Sequence, residues 1–491
     1  MTPSSSQSVA PIRDRRWQAL VVLCTGMLMI VLDQTIVNVA LPSIQSDLGF
    51  SPSSLAWVIN AYLIAFGGLL LLAGRLGDLV GRKRVFMAGL AVFTAASLLC
   101  GVSASPQMLV VARFTQGVGG ALSSAVILGM IVTMFPKQPD QARAIGVFSF
   151  VAAAGASIGL LTGGILTQTV SWHWIFFVNV PIGIAALVVA SRLIEPDTGT
   201  GLAGGADVVG ALLVTSALML GVYTIVETTR YGWTSAQTLG LGGLAILLLV
   251  GFVVRQATAG NPLLPLRILR PRNVWGVNVI QVLMVAGLFG FFFLSTLYLR
   301  LVLGLGPLAI GFAFLPVAVA IGVLSFELSP RLTTRFGGRS MLLVGLTLMA
   351  AALALVARAP VRGTYAVDLL PSMLLIGVGA GLSFPALMTL GMSGVASRDS
   401  GLASGLISTT AQVGGALGLA VLATVSAAHT EALLASGEAT AAALTGGYRL
   451  VFGIGAGLLV AAIALASLVL RGVEGADEEA VAVAYEEDDA A

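Results

Sequence analysis

The stretch Gly74-Arg75-Leu76-Gly77-Asp78-Leu79-Val80-Gly81-Arg82-Lys83-Arg84 places five charges and three glycines between two long apolar segments. Glycine allows the chain to reverse over a few residues. Basic residues beside a membrane mark the side that stays in the cytoplasm. The stretch therefore predicts a tight cytoplasmic turn between two membrane helices.

The composition supports a membrane protein. The chain has 491 residues, of which 57% are hydrophobic and 10% are charged, and its mean hydropathy is +1.00. Soluble proteins carry roughly a quarter charged residues. Apolar segments of about 20 residues, the length that crosses a hydrocarbon core of roughly 30 Å, recur along the chain. These features predict an all-α integral membrane protein and exclude a soluble multidomain protein.

Charged and Gly/Pro-rich breaks divide the chain into fourteen predicted membrane helices, so both termini are expected on one side of the membrane. With the termini in the cytoplasm, 19 of the 25 basic residues fall on the cytoplasmic side and five on the other. This asymmetry favours a multi-pass protein of the cytoplasmic (inner) membrane with both termini inside. The predicted helices span residues 17–38, 54–74, 85–104, 107–131, 143–168, 174–192, 207–226, 237–255, 273–297, 308–329, 340–358, 366–391, 401–426 and 448–470.

The chain contains an internal repeat. Residues 331–339 align with residues 75–83 at an offset of 256, and the same offset carries predicted helices 1, 4 and 5 onto helices 9, 12 and 13. Transporters are commonly built from two such related halves. We therefore expect two six-helix bundles with helices 7 and 8 inserted between them. The predicted regions are a cytoplasmic N-terminal segment (1–16), the first bundle (17–192), a linker with the inserted pair (193–272), the second bundle (273–470) and a disordered acidic tail (471–491).

Two cysteines, Cys24 and Cys100, lie in apolar segments, and two histidines, His173 and His429, lie far apart in the chain. This pattern predicts no disulfide, no metal site and no cofactor. No nucleotide-binding loop is present, so ATP is not expected to supply the energy.

Four motifs together resemble the major facilitator superfamily, specifically its fourteen-helix drug:proton antiporter branch. Gly74–Arg84 resembles the helix 2–3 signature of that superfamily, Leu32–Pro42 the helix 1 signature of the branch, Ala112–Gly120 the helix 4 signature, and Trp172–Pro181 the stretch that opens helix 6. The resemblance covers the chain to about residue 470. It implies the two-bundle fold and transport driven by a proton gradient.

Helix 5 departs from the pattern of the branch. Leu160 stands where the exporter-type glycine motif usually has a proline, and His173 replaces the commoner arginine between two tryptophans. The motif is associated with the direction of transport, so an importer remains an alternative. Small residues four apart also allow close packing between helices, which is the simplest interpretation of the glycines in helix 5. The second interpretation is a gate formed by helices that slide past each other. The glycines concerned are Gly155, Gly159, Gly163 and Gly164.

Asp33 and Arg113 are the predicted proton-coupling residues. A carboxylate in an apolar helix costs several kcal/mol unless it is neutral, paired or in a polar cavity. Burial and a nearby cation act in opposite directions on the pKa of a carboxyl group, so a conformational change can load and release a proton. The alternatives are that Asp33 is hydrated near the outer end of helix 1 and that Arg113 only binds backbone carbonyls.

The turn is a candidate conformational latch. A carboxylate at the membrane boundary is favoured near a helix N-terminus by about 0.3–1 kcal/mol. The resemblance implies that Asp78 faces the start of helix 13 near Ser400 and Gly401 and holds the cytoplasmic side shut. Arg82 and Arg84 serve equally well as determinants of topology. The predicted latch residues are Gly74, Asp78, Gly81, Arg82 and Arg84.

Glu327, near the inner end of helix 10, is a possible second acidic site. Its spacing to Arg331 also permits an i,i+4 ion pair on one helix face. Both readings stay open at the level of sequence.

The sequence thus predicts a secondary active transporter, not an enzyme: a proton-coupled antiporter that exports lipophilic small molecules by alternating access. Its expected partners are the substrate, protons and membrane lipid, with no nucleic acid and no obligate protein partner, and we expect a monomer. The alternatives are an exporter dedicated to one endogenous metabolite and a proton-linked importer. A membrane enzyme or sensor is disfavoured, because the membrane region offers few chemical groups and the chain has no sizeable soluble module.

Overall fold

The computed structural model describes residues 12–199, 201, 205–393, 395 and 399–470. The predicted acidic tail and the start of the predicted N-terminal segment lie outside the described residues. Within the described ranges every regular element is helical. The all-α class is therefore confirmed.

The main helices follow the apolar segments. Among the described residues, 12 helices are long and apolar enough to cross a membrane. The two remaining predicted segments, 143–168 and 308–329, lie on α5 and on α11 with the π-helical turn that follows it. The number fourteen stays a prediction. The helices are α1 (Ile12–Leu48), α2 (Trp57–Val80), α3 (Arg82–Gly101), α4 (Pro106–Met134), α5 (Gln138–Thr169), α6 (Trp174–Phe177), α7 (Asn179–Leu193), α8 (Val208–Tyr231), α9 (Ala236–Thr258), α10 (Arg272–Leu297), α11 (Pro307–Val323), α12 (Ser329–Phe336), α13 (Gly338–Val356), α14 (Leu370–Met392), α15 (Ser400–Ala435) and α16 (Thr440–Val469).

The helices pack in two similar groups. In the first, α1 packs on α5, α2 on α4, and α3 on α4 and α7. In the second, α10 packs on α15, α11 on α14, and α13 on α14 and α16. Each pair in the second group joins the helices that the internal repeat matches to the first. The two groups are called the first and second halves below.

The inserted helices lie beside the seam between the halves. Helices α8 and α9 pack on each other, and α8 contacts both α2 and α15. At the contact with α2 a Cβ added to Gly68 would lie 2.5 Å from Thr215 Oγ1. Glycine at this position therefore lets α2 pack closely against Thr215 of α8.

The charged stretch that opened the sequence analysis is more helical than predicted. Helix α2 continues to Val80 and α3 begins at Arg82, so only Gly81, with φ of 108°, separates them. The prediction that helices end at residue 74 and resume at residue 85 was wrong. Charged side chains at the end of a membrane helix extend toward the polar interface and do not interrupt the helix.

The two halves meet closely at the end of the bundle away from Gly81, which is called the opposite end below. There the Leu308 N–H of α11 donates to Gln168 Oε1 of α5 at 3.0 Å. A Cβ added to Gly164 would lie 2.9 Å from Leu308 Cα, and one added to Gly311 would lie 2.7 Å from Leu160 O. Helices α5 and α11 therefore touch backbone to backbone, and the opposite end is closed between them.

Candidate functional site

Asp33 of α1 and Arg113 of α4 form a buried ion pair. Arg113 Nη1 lies 2.5 Å from Asp33 Oδ2, and the two side chains are 1% and 0% exposed. Helix α1 continues past Asp33 to Leu48, so the carboxylate does not lie at a hydrated helix end. The structure brings together the two residues that the sequence singled out, although they are 80 positions apart in the chain.

Glycines of α5 bring its backbone against α1 beside Asp33. A Cβ added to Gly159 would lie 2.9 Å from Leu32 O, and one added to Gly163 would lie 2.7 Å from Ile36 O. One turn earlier, a Cβ added to Gly155 would lie 3.1 Å from Leu28 Cδ1. These three glycines let α5 support the helical turns on both sides of Asp33. Gly164 differs from them, because it faces α11 of the second half.

Gln116, which lies one turn after Arg113 on α4, binds both members of the ion pair. Its Nε2 donates to Asp33 Oδ1 at 2.7 Å and to Ser97 Oγ at 2.8 Å. Its Oε1 accepts from Arg113 Nη1 at 2.6 Å and from Cys100 Sγ at 3.6 Å. Both the nitrogen and the oxygen of this amide therefore have hydrogen-bond partners.

Asn179 at the start of α7 reaches the same carboxylate. Its Nδ2 donates to Asp33 Oδ1 at 3.2 Å, and the side chain is fully buried. Asn179 Oδ1 has no hydrogen-bond partner among the described residues. Asp33 therefore accepts hydrogen bonds from three side chains, which suits an ionised carboxylate because every contact it makes is with a donor.

Arg113 is also held by backbone and aromatic groups. Its Nε donates to Val58 O at 2.9 Å, and its guanidinium lies 4.5 Å from the ring centre of Tyr62 and 5.7 Å from that of Phe176. Cation–π contacts are strongest where water is excluded, as here. Arg113 thus binds Asp33 and a backbone carbonyl at once, so both contacts proposed from the sequence occur together.

Gln116, Asn179 and Tyr62 were not predicted as site residues. Gln116 carried a usable signal, since it lies three positions after Arg113 and so on the same helix face. Asn179 lies inside the motif that opens predicted helix 6, but its spacing in the chain says nothing about α1. Only the packing of α7 on α1 and α3 brings it to Asp33.

The candidate latch forms a small charged cluster at Gly81. Asp78 and Arg82 form an i,i+4 ion pair at 3.1 Å, and Arg82 Nη1 donates to Gly129 O and Thr133 Oγ1 of α4, each at 3.0 Å. Arg84 is exposed, and nothing lies within 4 Å of a Cβ added to Gly74. Contact of Asp78 with the start of α15 stays a prediction, and the side chain of Ser400 lies outside the described part.

The linker that follows α7 binds the same turn. Asp197 accepts hydrogen bonds from Arg82 N at 2.6 Å and Lys83 N at 3.0 Å. Lys83 Nζ in turn donates to Ser191 O at 3.1 Å and to Ile194 O. Partial burial opposes the charge of Asp197, but the two backbone donors prevail and hold the pKa of this carboxyl below its usual value. The linker therefore caps α3, because Gly81 at its N-cap has no side chain that could do so.

Glu327 lies in a π-helical turn, Leu324–Leu328, between α11 and α12. Its side chain falls outside the described part of the chain. The ion pair with Arg331 and the second acidic site both stay predictions. Among the described residues, no group of three or more His, Cys, Asp or Glu side chains could hold a metal ion.

Comparisons with known proteins agree with the fold and the motifs. The family model described as Major Facilitator Superfamily matches residues 23–419. The chain is 39% identical over 471 residues to the puromycin resistance protein pur8 of Streptomyces alboniger, covering 94% of this chain and 93% of that protein. It is 38% identical over 415 residues to the cephamycin export protein CmcT of Amycolatopsis lactamdurans, covering 84% and 85%.

A third relative and two solved structures extend the comparison. The tetracenomycin C resistance and export protein of Streptomyces glaucescens is 34% identical over 422 residues, covering 86% of this chain and 77% of that protein. A bacterial homologue of the human lysosomal transporter Spinster superposes with a TM-score of 0.66 at 17% identity, covering 95% and 98%. A peptide transporter, POT, superposes with a TM-score of 0.67 at 16% identity, covering 92% and 95%. At such identities the structures show a shared fold alone.

The resemblance drawn from the motifs is confirmed by the family model and by the relatives. The multiple apolar helices and the membership of this family show that the chain is a multi-pass membrane protein. The protein belongs to the Major Facilitator Superfamily and is a transporter, not an enzyme.

Proposed function

We propose that the protein is a proton-coupled antiporter that exports lipophilic small molecules of antibiotic type by alternating access. The observation that carries the proposal is the buried ion pair between Asp33 and Arg113. A charged pair inside a membrane protein is costly to bury, and such residues mark proton relays and substrate paths. Asp33 is the proton carrier in this proposal and Arg113 is its counter-ion.

Protonation of Asp33 changes the energy of the whole cluster. A neutral Asp33 leaves the guanidinium of Arg113 buried without a counter-charge, and breaking a buried pair in this way costs about 3–5 kcal/mol. The strain is relieved if the halves rearrange and Arg113 reaches water or another acceptor. Proton binding is thereby linked to conformation, and a membrane potential of about 100 mV supplies about 2.3 kcal/mol for each charge moved.

The direction and the substrate class rest on the relatives. The three relatives named above are described as resistance or export proteins, and each name refers to an antibiotic. Export of a small molecule of antibiotic type fits those names. Because each of these names contains a single compound, an exporter dedicated to one metabolite is the second candidate.

The test uses purified protein in proteoliposomes and measures proton movement triggered by substrate. We expect proton movement in the wild type and none in Asp33→Asn, with substrate binding retained. Glu195→Gln removes an exposed carboxylate from the linker and serves as the matched control, with proton movement unchanged. Proton movement that persists in Asp33→Asn would overturn the assignment of the carrier.

A panel of compounds separates the two candidates. Lipophilic cations and neutral antibiotics are added one at a time to the same vesicles. Proton movement with several chemically distinct compounds supports a multidrug exporter. A response to a single compound supports the dedicated exporter.

A further inference from the structure

We propose that Asn179 is a positioning residue that serves both protonation states of Asp33 by rotating its side-chain amide. The inference rests on the proposed function, in which Asp33 carries the proton. In the charged state Asn179 Nδ2 donates to Asp33 Oδ1. In the neutral state Asn179 Oδ1 accepts a hydrogen bond from the new Asp33 hydroxyl.

The contacts of Asp33 indicate which oxygen takes the proton. Oδ2 lies 2.5 Å from Arg113 Nη1, and a guanidinium has donors only. A hydroxyl at Oδ2 would therefore point at a group that cannot accept it. Oδ1 faces the side-chain amides of Gln116 and Asn179, and each amide contains an acceptor oxygen.

Of these two amides, Asn179 is free to turn. Rotation of the Gln116 amide would break the bonds of Nε2 to Asp33 and Ser97 and those of Oε1 to Arg113 and Cys100. Asn179 makes one side-chain hydrogen bond, and its Oδ1 is buried without a partner among the described residues. Rotation exchanges that bond for another and leaves one unpartnered atom in either orientation. The amide can therefore follow the proton with no net loss of hydrogen bonds.

The other titratable groups around the cluster do not compete for this role. Cys100 of α3 donates its thiol to Gln116 Oε1. Tyr62 of α2 lies with its ring over Arg113 and its hydroxyl toward Gly120, where an added Cβ would lie 2.9 Å away. Arg113 is itself a donor. Asn179 is the partner of Asp33 whose acceptor oxygen is available.

Two isosteric variants separate this role from a purely structural one. Gln116→Met removes a donor that favours charged Asp33, so the pH midpoint of transport moves upward by about one unit. Asn179→Leu removes a partner of both protonation states. We expect the pH midpoint of transport in Asn179→Leu to move by less than half as much as in Gln116→Met, while the maximal transport rate falls. Asn179→Ser keeps a group that donates and accepts, and it restores part of the rate.

Infrared difference spectra between acid and neutral pH report on the neutral carboxyl directly. The band of protonated Asp33 is identified by its loss in Asp33→Asn. In Asn179→Leu this band moves to higher frequency, because the hydroxyl has lost its acceptor, and in Asn179→Ser it returns toward the wild-type position. A band that is present in the wild type and unmoved in Asn179→Leu overturns the inference and leaves the proposed function intact. If Asp33→Asn removes no band, Asp33 does not take up the proton, and the proposed function itself is overturned.

Discussion

At the scale of single residues, the site is a buried polar cluster in which hydrogen bonds link Asp33, Arg113 and Gln116 to one another. Asp33, Arg113 and Gln116 are all almost completely buried. A low-dielectric interior strengthens each hydrogen bond and raises the cost of leaving a group unpaired. The cluster is therefore stable as a unit and sensitive to the loss of any one charge.

Arg113→Leu tests this coupling. The change leaves Asp33 buried without a counter-charge, so we expect a loss of about 3–5 kcal/mol of stability at neutral pH. Thermal unfolding of the purified protein in detergent measures the effect. Adding Asp33→Asn to the same chain removes the unpaired charge and recovers most of the loss without recovering proton movement. Equal losses from the two changes, summing in the double variant, would contradict a direct pair.

At the scale of elements, the linker after α7 and the turn between α2 and α3 behave as one unit. Asp197 caps the first turn of α3, and Gly201 N donates to Leu79 O at 3.1 Å at the end of α2. Gly81 has φ of 108°, and a Cβ there would lie 2.8 Å from Asp197 O. The linker continues to α8. It therefore connects the inserted helices α8 and α9 to the charged turn between α2 and α3.

Asp197→Ala removes this cap. We expect a loss of about 1 kcal/mol locally, and hence about fivefold faster hydrogen exchange in the first turn of α3. Glu195→Ala, two residues away and also exposed, is the control and leaves the exchange unchanged. Unchanged exchange in Asp197→Ala would show that the linker does not stabilise the helix.

The same contact has a defined pH dependence. Because the pKa of Asp197 is lowered in the folded protein, its contribution is complete above the ordinary aspartate pKa and is lost as the pH falls through the lowered value. Exchange in the first turn of α3, corrected for intrinsic rates, is therefore constant from about pH 5 to 8 and rises only below about pH 4.

At the scale of the whole molecule, the two halves are joined at the opposite end through α5 and α11. Glycine at positions 164 and 311 allows the two backbones to touch. Alternating access requires the halves to separate at one end as they close at the other. In the proposed mechanism, the contact between Gln168 and Leu308 therefore breaks in each transport cycle.

A disulfide across this contact tests the requirement. Gln168→Cys with Leu308→Cys, when oxidised, is expected to stop transport, and reduction restores it. Asn273→Cys with Ser393→Cys links α10 to the end of α14 within the second half, where Asn273 Nδ2 donates to Ser393 Oγ at 3.2 Å, and leaves transport running. Full transport by the oxidised Gln168/Leu308 pair would show that this end does not open.

Much of the protein follows from its sequence alone. The apolar segments predict the membrane helices because each must satisfy its own backbone hydrogen bonds and present about 20 apolar residues to lipid. Asp33 and Arg113 stand out because charge is rare and costly in such segments. These inferences depend on local composition, which the chain carries explicitly.

The tertiary structure decided the partners. Asn179 and Asp197 reach their targets through contacts between residues 146 and 115 positions apart, and no spacing rule within one helix covers such distances. The glycines of α5 looked alike in sequence, yet three support α1 beside Asp33 and Gly164 contacts the other half. Helix packing alone separates these roles, because the neighbours of a side chain depend on how the helices are arranged around one another.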